Sequence, residues 1–186
     1  PDIQINFTPG THQRGMQSTL ENQAGFTMAT WQHRPESYGY VRARSQDPFK
    51  HPEIQPNYLA ADTDQQVILA AIKICRKLAQ TEALKPFVVE ETFPSVACQN
   101  DNDLLNSARE IGQSIYHLMG TCRMGSRDDK TAVVDAELRV HGIKNLRVID
   151  ASIMPTMVSA NLNAAVMMIA EKGADMVLGK SAAKVH

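Results

Sequence analysis

Apolar and polar positions alternate at the start of the chain, where Ile3 and Ile5 stand among polar neighbours, and this period of two predicts a strand over residues 2–7. Residues 25–33 are rich in β-branched and aromatic side chains, and residues 38–44 set Val41 and Ala43 against Tyr40, Arg42 and Arg44. Both read as strands. Three antiparallel strands are the simplest arrangement, with the short turn-like link Arg34-Pro35-Glu36-Ser37 folding the second and third into a hairpin. Asp47-Pro48 and His51-Pro52 then break the pattern, and extended chain follows to about Asn57.

The period changes after that. Val67, Ala71, Ile74 and Leu78 recur at helical spacing behind Thr63 and Gln66, a capping-box pair, which predicts a helix over 63–80. Leu104, Leu105, Ala108 and Ile111 follow Asp-Asn-Asp and predict a second helix from Asp103 to about Gln113. Residues 133–149 read as two strands, Val133–Val140 and Leu146–Ile149, joined by a turn over 141–145. A last helix, from about Asn163 to Leu178, is apolar over most of its surface. Gly10, Gly15 and Gly25, together with the polar residues 8–24, mark one long loop, and no internal repeat appears.

Charge changes the picture by exclusion. With 19 basic and 20 acidic residues, the chain carries no field that would gather nucleic acid or an anionic membrane. No apolar run approaches the roughly 18 residues of a membrane span, and the chain reads as soluble. Cys75, Cys98 and Cys122 have neither the count nor the spacing of a disulfide scaffold or zinc site, which fits a reducing, cytoplasmic setting. The chain begins at Pro1 without a methionine or signal-like segment, and reads as a piece of a larger protein.

Two polar groups stand in runs too apolar to explain them. His117 lies in Tyr-His-Leu-Met-Gly-Thr-Cys-Arg-Met-Gly (116–125), and Asn161 and Asn163 lie in Ser-Ala-Asn-Leu-Asn-Ala-Ala-Val-Met-Met (159–168). Burying such groups costs free energy unless partners satisfy them, so they are candidates for chemistry. A lone histidine after a helix is nevertheless more often structural than catalytic, and spacing does not decide for His117. Asn163 is explained as the N-cap of the last helix, whereas Asn161 has no such explanation. Met154, Met157, Met167, Met168 and Met176 read as adaptable core packing. Arg42 and Arg44 read as a solvated strand face, Cys122 has no catalytic partner in sequence, and the remaining histidines form no ligand pattern.

Several ordered blocks together carry a resemblance. Residues 116–125, Leu-Arg-Val-Ile-Asp-Ala-Ser-Ile-Met-Pro (146–155), Asn161-Leu162-Asn163 and Ala170-Glu171-Lys172 resemble the C-terminal signature of the glucose-methanol-choline (GMC) oxidoreductases, flavin-dependent alcohol oxidases and dehydrogenases. Residues 34–41 and 47–59 are similar to the substrate-domain part of that family. The likeness covers nearly the whole chain and leans towards the choline-dehydrogenase-like branch.

The resemblance implies an α+β fold: an antiparallel sheet with flanking helices forming a substrate-binding domain (1–128), then a C-terminal strand and helix (129–186) that return to the flavin domain. It implies FAD as cofactor, His117 as the base that takes the alcohol proton, and Asn161 as a donor to the same oxygen. Asp150, Ala151 and Asn163 match positions that approach the flavin, and Trp31, Gln32, His33 and Ile115 match the substrate side. The helix after Asn161 would turn its N-terminus, with its unpaired N–H groups and dipole, to the flavin pyrimidine. The dinucleotide turn Gly-x-Gly-x-x-Gly is missing, since no two glycines here are separated by a single residue.

The expected partners are therefore a small alcohol and the missing N-terminal FAD-binding portion of the same enzyme. Exposed apolar surface on the last strand and helix would also favour a homo-oligomer. Two function classes stay open: the C-terminal part of an FAD-dependent alcohol oxidoreductase, inactive on its own, or a catalytically silent α+β binding or assembly module. A lyase is a further reading, because some relatives use the same histidine to cleave cyanohydrins.

Overall fold

The structure is a computed structural model that describes residues 1–12, 19–159 and 161–180. The fold is α+β, as expected, and its sheets are small. Strands β1 (Ile3–Thr8) and β2 (Thr27–Gln32) pair antiparallel, with Ile3 opposite Gln32 and Thr8 opposite Thr27. Strand β3 (Tyr40–Arg42) pairs with β4 (Glu53–Gln55) in a separate two-stranded sheet. The expected three-stranded sheet and the hairpin between the second and third strands are therefore not formed.

The cause lies in the link itself. The N–H groups of Glu36 and Ser37 donate to the Asp64 carboxylate at 2.9 and 2.8 Å, which pins the turn to a helix instead of folding β3 onto β2. That helix, α1 (Asp62–Ala79), arises from the expected periodicity but buries a different stripe, Asp64, Ala71 and Cys75. Ile74 and Leu78 lie towards solvent, at 39% and 38% exposure. The capping box foreseen at Thr63 and Gln66 is absent, since the N-cap position is Ala61 and no side chain caps from it.

Helix α2 (Asp101–Ile111) starts two residues before the expected Asp103. Asn100 is its cap, accepting from the Asp103 N–H at 2.9 Å while its amide donates to the Asp103 carboxylate at 2.8 Å. Leu104 and Leu105 carry its buried face, and α1 packs against both α2 and the β1–β2 pair. Of the long loop over 8–24, residues 13–18 with Gly15 lie outside the described residues, and His12 and Leu20 on either side form an antiparallel bridge.

Compactness groups the chain into two units, drawn differently from the division expected at 128/129. One contains residues 1–39 and 55–113, the other 40–54 and 114–186. The core of the second unit is Val134, Leu138, Ile153, Met154, Leu162 and Ile169, with Met119, Met124, Ile149, Ala151, Ala165, Val166, Met157 and Met176 packed around it.

The two strands expected over 133–149, including the C-terminal strand, are not formed as strands. Only isolated bridges occur there, Val134 with Val140 and Arg139 with Arg147. The Asp135 side chain takes the N–H groups of Glu137 and Arg139 at 2.8 and 2.9 Å, and Leu138 sits at φ +63°, so the segment turns too sharply to pair as a ladder.

Helix α3 (Asn163–Val177) appears where expected. Asn163 is its first residue and not its cap; Leu162 holds the cap position without a side-chain hydrogen bond, and the Asn163 amide lies 3.8 Å from the Met167 sulfur. One stripe, Ile169 and Gly173, is buried, while Met167, Met168, Val177 and Leu178 are exposed. The methionine expectation thus holds for Met154, Met157 and Met176 and fails for Met167 and Met168. No helix among the described residues is long and apolar enough to cross a membrane.

Candidate functional site

The candidates of the second unit are held by their neighbours. After α2 the chain runs without regular structure through 112–125, and the Tyr116 backbone is left-handed (φ +60°) with its ring 84% exposed. His117 follows, half-buried. Beyond it the chain is fastened by backbone bonds to a 3-10 turn, Ala151–Ile153. Gly120 donates to the Ala151 carbonyl at 3.4 Å, Cys122 to Ser152 at 2.9 Å and Met124 to Ile153 at 2.7 Å. Gly120 has φ +84°, and a Cβ there would stand 3.3 Å from the Met154 carbonyl oxygen, so both backbone conformation and space favour glycine. On its other side the segment meets residues 133–134, with Gly125 donating to Val134 and Val133 donating to Arg123.

Asp150 begins the 3-10 turn. Its carboxylate accepts from the Ser152 N–H at 2.7 Å, and the residue is exposed. Ala151 is partly buried against the core. The bond from Gly120 therefore brings the arm that bears His117 beside Asp150 and Ala151.

Asn161 and Asn163 flank Leu162, which is 4% exposed and belongs to the core, while both asparagines are exposed. Met119, Ala151, Ile153, Leu162, Ala165 and Val166 all enter one cluster. Three elements are thereby tied together through their apolar residues: the His117 arm, the Asp150 turn and the start of α3. The polar candidates sit on the outside of that junction. The premise that His117 and Asn161 are buried is corrected, because apolar neighbours in these runs do the burying.

Trp31 and Gln32 end β2, and His33 follows it in the first unit. His33 is 8% exposed, with its Nε2 2.9 Å from the Gln4 Oε1 and its backbone N–H on the Asp2 carbonyl. Ile115 belongs to the second unit. Sequence reading missed Gly120 and the anchors Met119 and Leu162; the signal was present in the glycine and apolar residues interleaved with the polar candidates.

At the start of α3 the cap residue Leu162 gives no side-chain hydrogen bond, small residues Ala164 and Ala165 open the first turn, and Asn163 stands exposed beside them.

The sequence matches the family described as GMC oxidoreductase, in its C-terminal part, over residues 35–170. The chain belongs to the GMC oxidoreductases. It is 43% identical to the mitochondrial choline dehydrogenase of Homo sapiens over 98% of this chain and 30% of that protein. It superposes on pyridoxine 4-oxidase from Mesorbium loti with a TM-score of 0.82 at 26% identity, over 98% of this chain and 35% of the other. An FAD-dependent oxidoreductase from Chaetomium thermophilum gives a TM-score of 0.76 at 26% identity, over 83% of this chain and 27% of that one. The chain thus spans about a third of the length of these relatives, and is choline-dehydrogenase-like in sequence.

Proposed function

We propose that this chain is the C-terminal part of an FAD-dependent alcohol oxidoreductase that acts on the CH–OH group of a small alcohol, and that it brings the acid–base residues of the reaction. The observation that carries the reading is the common packing of Met119, Ala151, Ile153 and Leu162, which leaves His117, Asp150, Asn161 and Asn163 outside one junction. A bound flavin supplies the hydride acceptor, a chemistry no side chain offers.

Oxidising an alcohol removes a proton from oxygen and a hydride from the adjacent carbon. The His117 imidazole is the base for the proton, its ring nitrogen able to accept from the alcohol oxygen. The Asn161 carboxamide donates to the oxygen as negative charge develops there, and does not compete for the proton. Asn163, Asp150 and Ala151 would hold the flavin ring, and the backbone N–H groups at the start of α3 would favour negative charge on it. The name of the human relative makes choline the first alcohol to test.

The test uses the intact parent protein. His117→Ala lowers turnover by roughly a hundredfold or more while flavin stays bound. Asn161→Ala slows flavin reduction in rapid-mixing experiments. Undiminished alcohol turnover by the His117 variant would remove the imidazole from this role.

A further inference from the structure

Helix α1 starts without a cap from its own segment. The Ser37 hydroxyl, from the link after β2, holds the chain entering the helix: its oxygen accepts from the N–H groups of Ala60 and Ala61, each at 3.0 Å. Asp64, in the first turn of α1, closes the circuit. Its Oδ1 accepts from the Glu36 N–H, and its Oδ2 accepts from both the Ser37 N–H and the Ser37 hydroxyl. These bonds join two segments separated by 23 to 28 residues of chain.

The circuit is reciprocal. Ser37 has one hydroxyl proton, and donating it to Asp64 turns the oxygen lone pairs towards Ala60 and Ala61. Without the carboxylate the hydroxyl is free to rotate away. Without the hydroxyl, the Ala60 and Ala61 N–H groups lose their acceptor and the carboxylate loses a donor. Asp64 is 2% exposed, so water does not replace the donor its carboxylate loses while the link stays in place. Nearby bonds close the same neck of chain, with the Asn57 amide donating to the Tyr38 carbonyl at 3.1 Å. A Cβ on Gly39 would lie 1.9 Å from the Gln55 carbonyl oxygen, so the two backbones touch there.

We propose that Ser37 and Asp64 form an all-or-none latch, in which the 36–37 turn and the first turn of α1 open together and close together. The latch lies beside the point where the chain leaves at Gly39 and returns at Gln55. The reading is independent of the flavin chemistry proposed above.

Amide hydrogen exchange on the intact parent protein tests it. In the wild type, the amides of Glu36, Ser37, Ala60 and Ala61 exchange at one common opening rate with one common denaturant dependence; distinct opening behaviour for the two pairs overturns the proposal without any substitution. Ser37→Ala and Asp64→Asn each accelerate exchange at all four amides by tenfold or more, whereas Ser37→Thr, which keeps the hydroxyl, retains most of the protection. Acceleration by Ser37→Ala at Ala60 and Ala61 alone, with Glu36 and Ser37 still protected, also overturns it.

Discussion

Asp64 carries opposed influences on one carboxyl. Burial acts to raise its pKa, and the hydrogen bonds from the Glu36 N–H, the Ser37 hydroxyl and N–H, and the Gln32 side chain together outweigh burial and hold it below the usual carboxylate range. Because the folded-state value is depressed, the stabilisation is complete above the unfolded value of about 3.9 and is lost as pH falls through the folded value. Denaturant titrations across that acid window should show the wild type losing stability that Asp64→Asn does not lose. At neutral pH the variant should be less stable by about 1–3 kcal/mol, since its amide presents a donor to donors. Equal acid slopes in the two proteins would remove Asp64 as the source. At this scale the sequence revealed the polar candidates but misjudged their depth. His117 is half-buried and Asn161 exposed, because Met119 and Leu162 beside them occupy the core.

The elements differ in how much of them a local pattern encodes. All three helices formed near their expected places, because a 3.6-residue period is a property of a single segment. Strand partners are not: alternation tells which face a strand buries and not which strand it meets. The link at 34–37 does not close the expected hairpin, since the Glu36 and Ser37 N–H groups go to Asp64. Helix α3 meets the 146–149 segment at Gly173, where an added Cβ would stand 2.3 Å from the Ile149 Cγ2. Gly173→Ala should therefore destabilise the protein by about 1–3 kcal/mol through overpacking. The gain in helix propensity, roughly 1 kcal/mol, offsets part of that. Pairing it with Ile149→Ala should cost less than the sum of the single changes; a thermally neutral Gly173→Ala would show that the contact yields freely.

Across the whole molecule, the conspicuous feature is apolar surface in the second unit. Met167, Met168, Val177 and Leu178 on α3, with Tyr116 and Leu118 on the His117 arm, are all more than half exposed. Surfaces of this kind mark places where another polypeptide packs. The 186-residue chain by itself should bind a hydrophobic dye and self-associate on size exclusion, and replacing Met167 and Met168 by glutamate should suppress both. A monomer without dye binding would show that this surface is tolerated in water. The sequence alone determined the α+β character, the helices and the family, because each rests on local period or on ordered motifs that survive as text. Tertiary structure decided strand pairing, the stripe that α1 buries, the remote bonds that Ser37 and Asp64 make at its start and the depth of the candidate residues. Those depend on which distant groups satisfy a given N–H or fill a given gap, and such partners are chosen in space, across tens of residues of chain.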